Sequence, residues 1–99
     1  MVKTFSEDML VESEFLVAGK CDMCKSRVEL AAMRMKGVAE ASWDEETQMM
    51  TVKYDSGKHS EDDVMKAMAK VGHDTEKYQS KDITYKNLPA CCKYKRIEQ

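Results

Sequence analysis

Gly19-Lys20-Cys21-Asp22-Met23-Cys24-Lys25-Ser26-Arg27-Val28-Glu29-Leu30-Ala31-Ala32-Met33-Arg34-Met35-Lys36-Gly37 is the stretch on which the fold turns. From Cys24 to Lys36, Val28, Ala31, Ala32 and Met35 fall at i, i+3, i+4 and i+7, the apolar face of a helix that Gly37 ends in a left-handed cap. Upstream, Ser13-Glu14-Phe15-Leu16-Val17-Ala18 reads as a strand ending at Gly19, and residues 1–11, with no sustained period, as a loosely ordered lead-in. Downstream, Ala39, Ala41 and Trp43 alternate with Glu40, Ser42 and Asp44, and Met50, Val52 and Tyr54 alternate with Thr51 and Lys53, so two strands flank the polar turn Glu45-Glu46-Thr47. Ser60 before Glu61-Asp62-Asp63 is an N-cap with acids in the first helical turn; Val64, Ala67, Met68 and Val71 keep helical spacing, and Gly72 closes the helix. A short polar strand, Asp74-Thr75-Glu76-Lys77-Tyr78, completes the pattern.

The order strand, helix, strand, strand, helix, strand predicts an α+β fold of ferredoxin-like βαββαβ type, with two helices on one face of a four-stranded antiparallel sheet. The predicted domain covers residues 12–78, and residues 79–99, polar and holding the only proline, form a C-terminal tail that carries Cys91-Cys92. With 99 residues, 42% apolar and 34% charged, the chain fits a single domain whose site must lie near the surface. Sixteen Lys plus Arg against eighteen Asp plus Glu give no overall basic field, which argues against a dedicated nucleic-acid binder. No run approaches the roughly 18 to 20 apolar residues of a membrane span, so a soluble protein is expected, in the cytoplasm or, with a signal removed, in the bacterial periplasm.

Cys21 and Cys24, one in the loop after a strand and one in the first helical turn, turn both sulfurs toward one point. Free N–H groups and the positive end of the helix dipole stabilise anions there, so both thiols are expected to ionise more readily than an isolated cysteine. Soft thiolate ligands on a surface loop suit copper(I) first, with mercury(II), zinc and cadmium as other candidates. A structural zinc site would need a second knuckle at close spacing, which Cys91-Cys92 does not provide. A thiol–disulfide oxidoreductase also places Cys-x-x-Cys at a helix start, but the elements that follow here do not continue as a thioredoxin core. Carboxylate pairs, histidine clusters and phosphate-type glycine loops are lacking, so no enzyme is expected.

Cys21-x-x-Cys24-x-x-x-Val28, Gly37-Val38, Thr51-Val52-x-Tyr54-Asp55 and Ala67-Met68-x-x-Val71-Gly72 resemble the heavy-metal-associated domain, the family of copper chaperones, copper-ATPase metal-binding modules and the periplasmic mercury-binding protein. The resemblance spans about residues 13–78. It implies an ion held by Cys21 and Cys24 and passed by thiolate exchange to a metal-transporting ATPase or another metal-accepting protein. Members usually carry a methionine two residues before the first cysteine, tucked beneath the loop, where this chain has Gly19; Met23 is one candidate to fill that space and exposure is its other reading. His73 falls where relatives place a residue near the metal loop, as a third ligand or as a polar helix exit. Cys91 and Cys92 are either auxiliary ligands on a tail that folds back or thiols of a mobile one. Lys20, Lys25, Arg27, Arg34 and Lys36 gather around the loop, as a docking rim for an acidic partner or a solvated face that Glu29 interrupts. Met35, Met50, Met68 and Trp43 are expected in the core.

Overall fold

Phe15, Met50, Val52 and Trp43 point to one side of their strands, and the apolar faces of two helices close over them. The computed structural model describes residues 10–97. Strand β1 is Leu10–Leu16, α1 Asp22–Met33, β2 Val38–Trp43, β3 Met49–Asp55, α2 Glu61–Lys70 and α3 Asp82–Lys86, followed by one 3-10 turn at Ala90–Cys92. The sheet is antiparallel in the order β1-β3-β2, with Phe15 and Trp43 both opposite Met50. A bulge between Val38 and Glu40 resets the alternation of β2, so that Val38 is buried as well as Trp43. Val28 and Ala32 of α1 and Val64, Met65 and Met68 of α2 complete the core, with Met35 partly buried against it.

The caps follow the sequence. Ser60 Oγ accepts from the Asp63 amide at 3.2 Å while Asp63 Oδ2 accepts from the Ser60 amide at 3.0 Å, a reciprocal capping box at the start of α2. Gly37 and Gly72 take φ of 85° and 106°, the left-handed region in which a Cβ is penalised.

Two expectations are corrected. The first strand begins at Leu10, not Ser13, because Leu10 and Val11 pair with Asp55 and Tyr54; the remainder of the expected lead-in, residues 1–9, lies outside the described residues. No fourth strand forms at residues 74–78. Thr75 makes one isolated bridge to Val17 beside the end of β1, and then its amide donates to Tyr78 O at 2.7 Å while its hydroxyl accepts from the Tyr78 amide at 2.9 Å. This local turn consumes the groups a ladder would need. Of the two readings of the C-terminal segment, residues 79–97 take the folded-back one: Leu88, Cys92 and Tyr94 are buried with Ala18 and Cys24 in a second apolar cluster.

That C-terminal segment is fastened by Asp74, whose carboxylate is fully buried. Arg96 grips it through Nε at 3.1 Å and Nη2 at 2.9 Å, and the amides of Ser80 and Ile97 donate to it at 2.8 and 3.1 Å. Burial alone would raise the Asp74 carboxyl, but the Arg96 fork and the two amides outweigh it and hold it below the usual range. Arg96 also reaches Asp82 Oδ1 at 2.6 Å and the Ser80 carbonyl. A carboxyl depressed in the folded state stabilises it above the unfolded value near 3.8 and loses that contribution as pH falls through the folded value. Asp74→Asn, which leaves Arg96 short of its partner, is expected to cost about 3 kcal/mol. Urea titrations below pH 4 should show the wild-type advantage over Asp74→Asn shrinking toward zero.

Candidate metal centre

Cys21 is the N-cap of α1, with extended backbone at φ −146°, and Cys24 lies in the first turn; their sulfurs stand 3.7 Å apart. The two thiols differ sharply. Burial opposes ionisation of Cys21, but the amides of Cys24 and Met23, with hydrogen bonds from the Cys92 and Cys24 thiols, together outweigh it and bring the thiol down to about 7. Cys24 is fully buried, and burial pushes its thiol up to about 11. Easier ionisation of both thiols is therefore corrected to easier ionisation of Cys21, with Cys24 retained as a protonated neighbour.

The loop carrying Cys21 is held from beneath by Trp43. Its indole Nε1 donates to Val17 O at 2.9 Å, and a Cβ placed on Gly19 would come within 2.7 Å of the six-membered ring and 3.2 Å of the Cys24 Cβ. Trp43 thus fills the space a side chain at position 19 would occupy, and Gly19 is the residue that lets the indole reach it. Met23 does not plug the loop; it is 50% exposed. Gln48 Nε2 supports the same loop by donating to Gly19 O at 3.0 Å.

His73 is fully buried and is turned away from metal ligation. Its Nδ1 is 2.8 Å from Ala18 O, which can only accept, and its Nε2 is 3.2 Å from Arg27 Nη1, which can only donate. Both ring nitrogens are engaged in a neutral Nδ1–H imidazole, and burial followed by the Arg27 charge lowers its basicity. Tyr94 stacks on the ring at 5.3 Å and donates its hydroxyl to Gly72 O at 2.6 Å, while accepting from the Asp74 amide at 2.9 Å. Arg27 faces the sulfurs: burial works against its charge, but Cys92, Cys24 and Cys21 outweigh that and keep the guanidinium protonated.

Two residues of the basic rim, Lys25 and Arg27, are engaged in structure. Lys25 Nζ donates to Glu29 at 2.7 Å and to Trp43 O at 2.8 Å, and Glu29 accepts from the Trp43 amide at 2.9 Å, so this pair ties α1 to the end of β2. Cys91 and Cys92 are brought to the loop: Cys92 Sγ lies 3.4 Å from Cys21 Sγ, and Cys21, Cys91 and Cys92 all lie within 4.8 Å of one another. All four cysteines are free thiols. Tyr94, Asp74 and Arg96, which seat this segment, were not singled out from the sequence; the one signal was the dense run Cys91-Cys92-Lys93-Tyr94-Lys95-Arg96 in a region otherwise read as a polar tail.

Residues 15–74 match the heavy-metal-associated domain. The chain belongs to that family. Among solved structures it is similar to a CopZ metallochaperone, at 30% identity over 66% of this chain and 98% of that one, with a TM-score of 0.63. It is also similar to the N-terminal domain of a potential copper-translocating P-type ATPase from Bacillus subtilis in the Cu(I)-loaded state, at 29% identity over 68% and 85% of the two chains, TM-score 0.63. Oxidized MerP from Ralstonia metallidurans CH34 shares the fold at 23% identity, over 67% and 96%, TM-score 0.57. No curated protein matches significantly. Heavy-metal binding is the function that family membership carries, and the Cys-x-x-Cys motif stands at the start of α1. The family match ends at Asp74, so the segment bearing Cys91 and Cys92 lies outside it. Among the described residues no helix is long and apolar enough to cross a membrane.

Two measurements follow from this geometry. Alkylation of the reduced protein should be fastest at Cys21, with a rate rising through pH 7; Cys21→Ser should remove that phase, and a uniform rate at all four thiols would contradict it. Gly19→Met should lower stability by about 1 to 3 kcal/mol through overpacking against Trp43, measured by denaturant unfolding.

Proposed function

We propose that this heavy-metal-associated domain binds a soft metal ion, copper(I) in the first place, through the thiolates of Cys21 and Cys24, and hands it to a partner. The supporting observation is the pair of sulfurs of Cys21 and Cys24, 3.7 Å apart on a loop at a helix start. Cys21 supplies the first thiolate near neutral pH, and Cys24 gives up its proton when the ion arrives, so binding releases a proton and strengthens as pH rises. Copper(I) comes first because its softness suits thiolates and because the CopZ metallochaperone and the potential copper-translocating ATPase domain are similar to this chain. The same similarity favours a metal-transporting ATPase or another metal-accepting protein as the acceptor. Transfer then proceeds by exchange: an incoming thiolate bonds to the ion before one of the two original sulfurs leaves, and no electron changes hands.

Mercury(II), zinc and cadmium share these ligands, and titration separates them. The reduced protein titrated with copper(I), zinc and mercury(II) against competing chelators should bind copper(I) tightly at one equivalent, and Cys21→Ser plus Cys24→Ser should weaken it by at least a hundredfold. Equal binding by the double variant would reject these ligands. Tighter binding of mercury(II) than of copper(I), relative to each ion's affinity for a simple dithiol, would move the reading to detoxification, and turnover of a disulfide substrate would move it to an oxidoreductase.

A further inference from the structure

Five sulfurs are gathered at the metal loop, three of them, those of Cys21, Cys91 and Cys92, within 4.8 Å of one another. Met23 Sδ is 3.4 Å from Cys91 Sγ, Cys91 is 3.9 Å from Cys92, Cys92 is 3.4 Å from Cys21, and Cys21 is 3.7 Å from Cys24. Met23 and Cys91 are exposed, Cys21 is half-buried, and Cys92 and Cys24 are fully buried. We infer that the C-terminal segment supplies a third metal ligand, Cys92, and an exchange ligand, Cys91, so that the ion of Cys21 and Cys24 is held by three thiolates beneath a built-in cover. This rests on the proposed role of Cys21 and Cys24 and extends it to residues outside the family match.

Spacing supports the assignment. Sulfurs about 2.3 Å from one ion stand about 4.6 Å apart when two ligands lie in line, but about 4.0 Å apart in a trigonal plane. The distances here, 3.7 Å for Cys21 to Cys24 and 3.4 Å for Cys21 to Cys92, fall on the side of the crowded arrangement. Cys92 is aimed at the loop by the structure around it: the 3-10 turn after Pro89, its amide bonded to Pro89 O at 2.8 Å, the Tyr94 ring on His73, and the Asp74–Arg96 fork. A third thiolate adds negative charge, and Arg27, a permanent cation beside the sulfurs of Cys92, Cys24 and Cys21, is placed to balance it. Ligation by Cys92 forms one metal–sulfur bond and releases the thiol proton to solvent, with no change of oxidation state. Cys91, next in line and exposed, bonds to an arriving ion first and yields it to Cys92 and Cys21; in the reverse order it is the sulfur from which a partner's thiolate takes the ion.

The full reduced chain loaded with one equivalent of copper(I) is the test. X-ray absorption at the copper edge should count three sulfurs, falling to two in Cys92→Ser, with affinity in a chelator competition reduced at least tenfold. Cys91→Ser should keep three sulfurs and the affinity but slow copper(I) transfer to a chelating dithiol several-fold. Cys92→Ala, with docking of the segment checked by the NMR contact between Tyr94 and His73, separates loss of a ligand from loss of the cover. A count of two sulfurs in the unaltered protein, or unchanged count and affinity in both Cys92 variants with the segment docked, would overturn the inference and leave Cys21 and Cys24 standing; the four thiols would then be a hydrogen-bonded cluster only. Unweakened binding by Cys21→Ser plus Cys24→Ser would instead remove the reading on which it rests.

Discussion

The contact between the Trp43 indole and the bare backbone of Gly19 is the constraint on which the site depends. The ring enters the core at the end of β2, anchors its nitrogen on Val17 O, and stands where a side chain at position 19 would go. A large aromatic group contributes far more buried apolar area than a methionine tucked beneath the loop, and it is stiffer, with two side-chain torsions. The loop therefore rests on a rigid floor built from β2 rather than on a flexible side chain of its own. Lys25 and Glu29 fasten the same point from outside by bonding the Trp43 carbonyl and amide, so the first turn of α1 and the end of β2 move as one. Cys24 lies between these fixtures and inherits their rigidity. Cys21, on the loop side of the helix start, is half-buried and closes the first turn through its carbonyl.

A second set of contacts turns the end of the domain into a platform for the C-terminal segment. His73 ties the loop carbonyl of Ala18 to Arg27 on α1, and its flat face receives Tyr94. Asp74, one residue on, is the buried anion that Arg96 and two amides satisfy. A carboxylate removed from water is tolerated only with such partners, and here most of them come from beyond residue 79. The domain and its extension are thus interdependent: without the segment, Asp74 would lose the Arg96 charge and Tyr94 would no longer cover His73. The consequence for the site is that Cys92 reaches Cys21 along a path fixed by hydrogen bonds and packing, not by the chance position of a tail.

Much of this was legible in local patterning. The helix from Cys24 declared itself through Val28, Ala32 and Gly37, the hairpin through the alternation around Trp43 and Val52, and α2 through Ser60 and Asp63, because each of these signals is carried by neighbours in sequence. The Cys-x-x-Cys pair was legible for the same reason. What escaped was non-local or depended on packing. The absence of a fourth strand is decided by Thr75 closing a turn on Tyr78, which hydropathy does not encode. The burial of residues 88–94 is decided by Asp74 needing Arg96, a pairing of one acid among eighteen with one base among sixteen that spacing cannot select. The opposite behaviour of Cys21 and Cys24 arises from burial across the helix start, where the two lie within one turn but on different sides of the surface.

These features bear on a conflict inherent in moving a soft ion. Retention favours more ligands and a closed site, whereas exchange favours an open position at which a new thiolate can attach. Two thiolates on an open loop resolve the conflict in favour of exchange. A segment that brings further sulfurs shifts the balance toward retention without closing the path, because the set includes both buried and open sulfurs: Cys24 and Cys92 are buried, Cys21 is half-buried at the loop, and Cys91 faces solvent. Each step from Cys24 through Cys21 and Cys92 to Cys91 is under 4 Å. Under the proposed exchange, an ion bonds the next sulfur before releasing the last and so never meets the cost of a bare, undercoordinated state. Arg27 sits at the junction as a fixed positive charge, which lowers the cost of gathering thiolates while they wait for the ion.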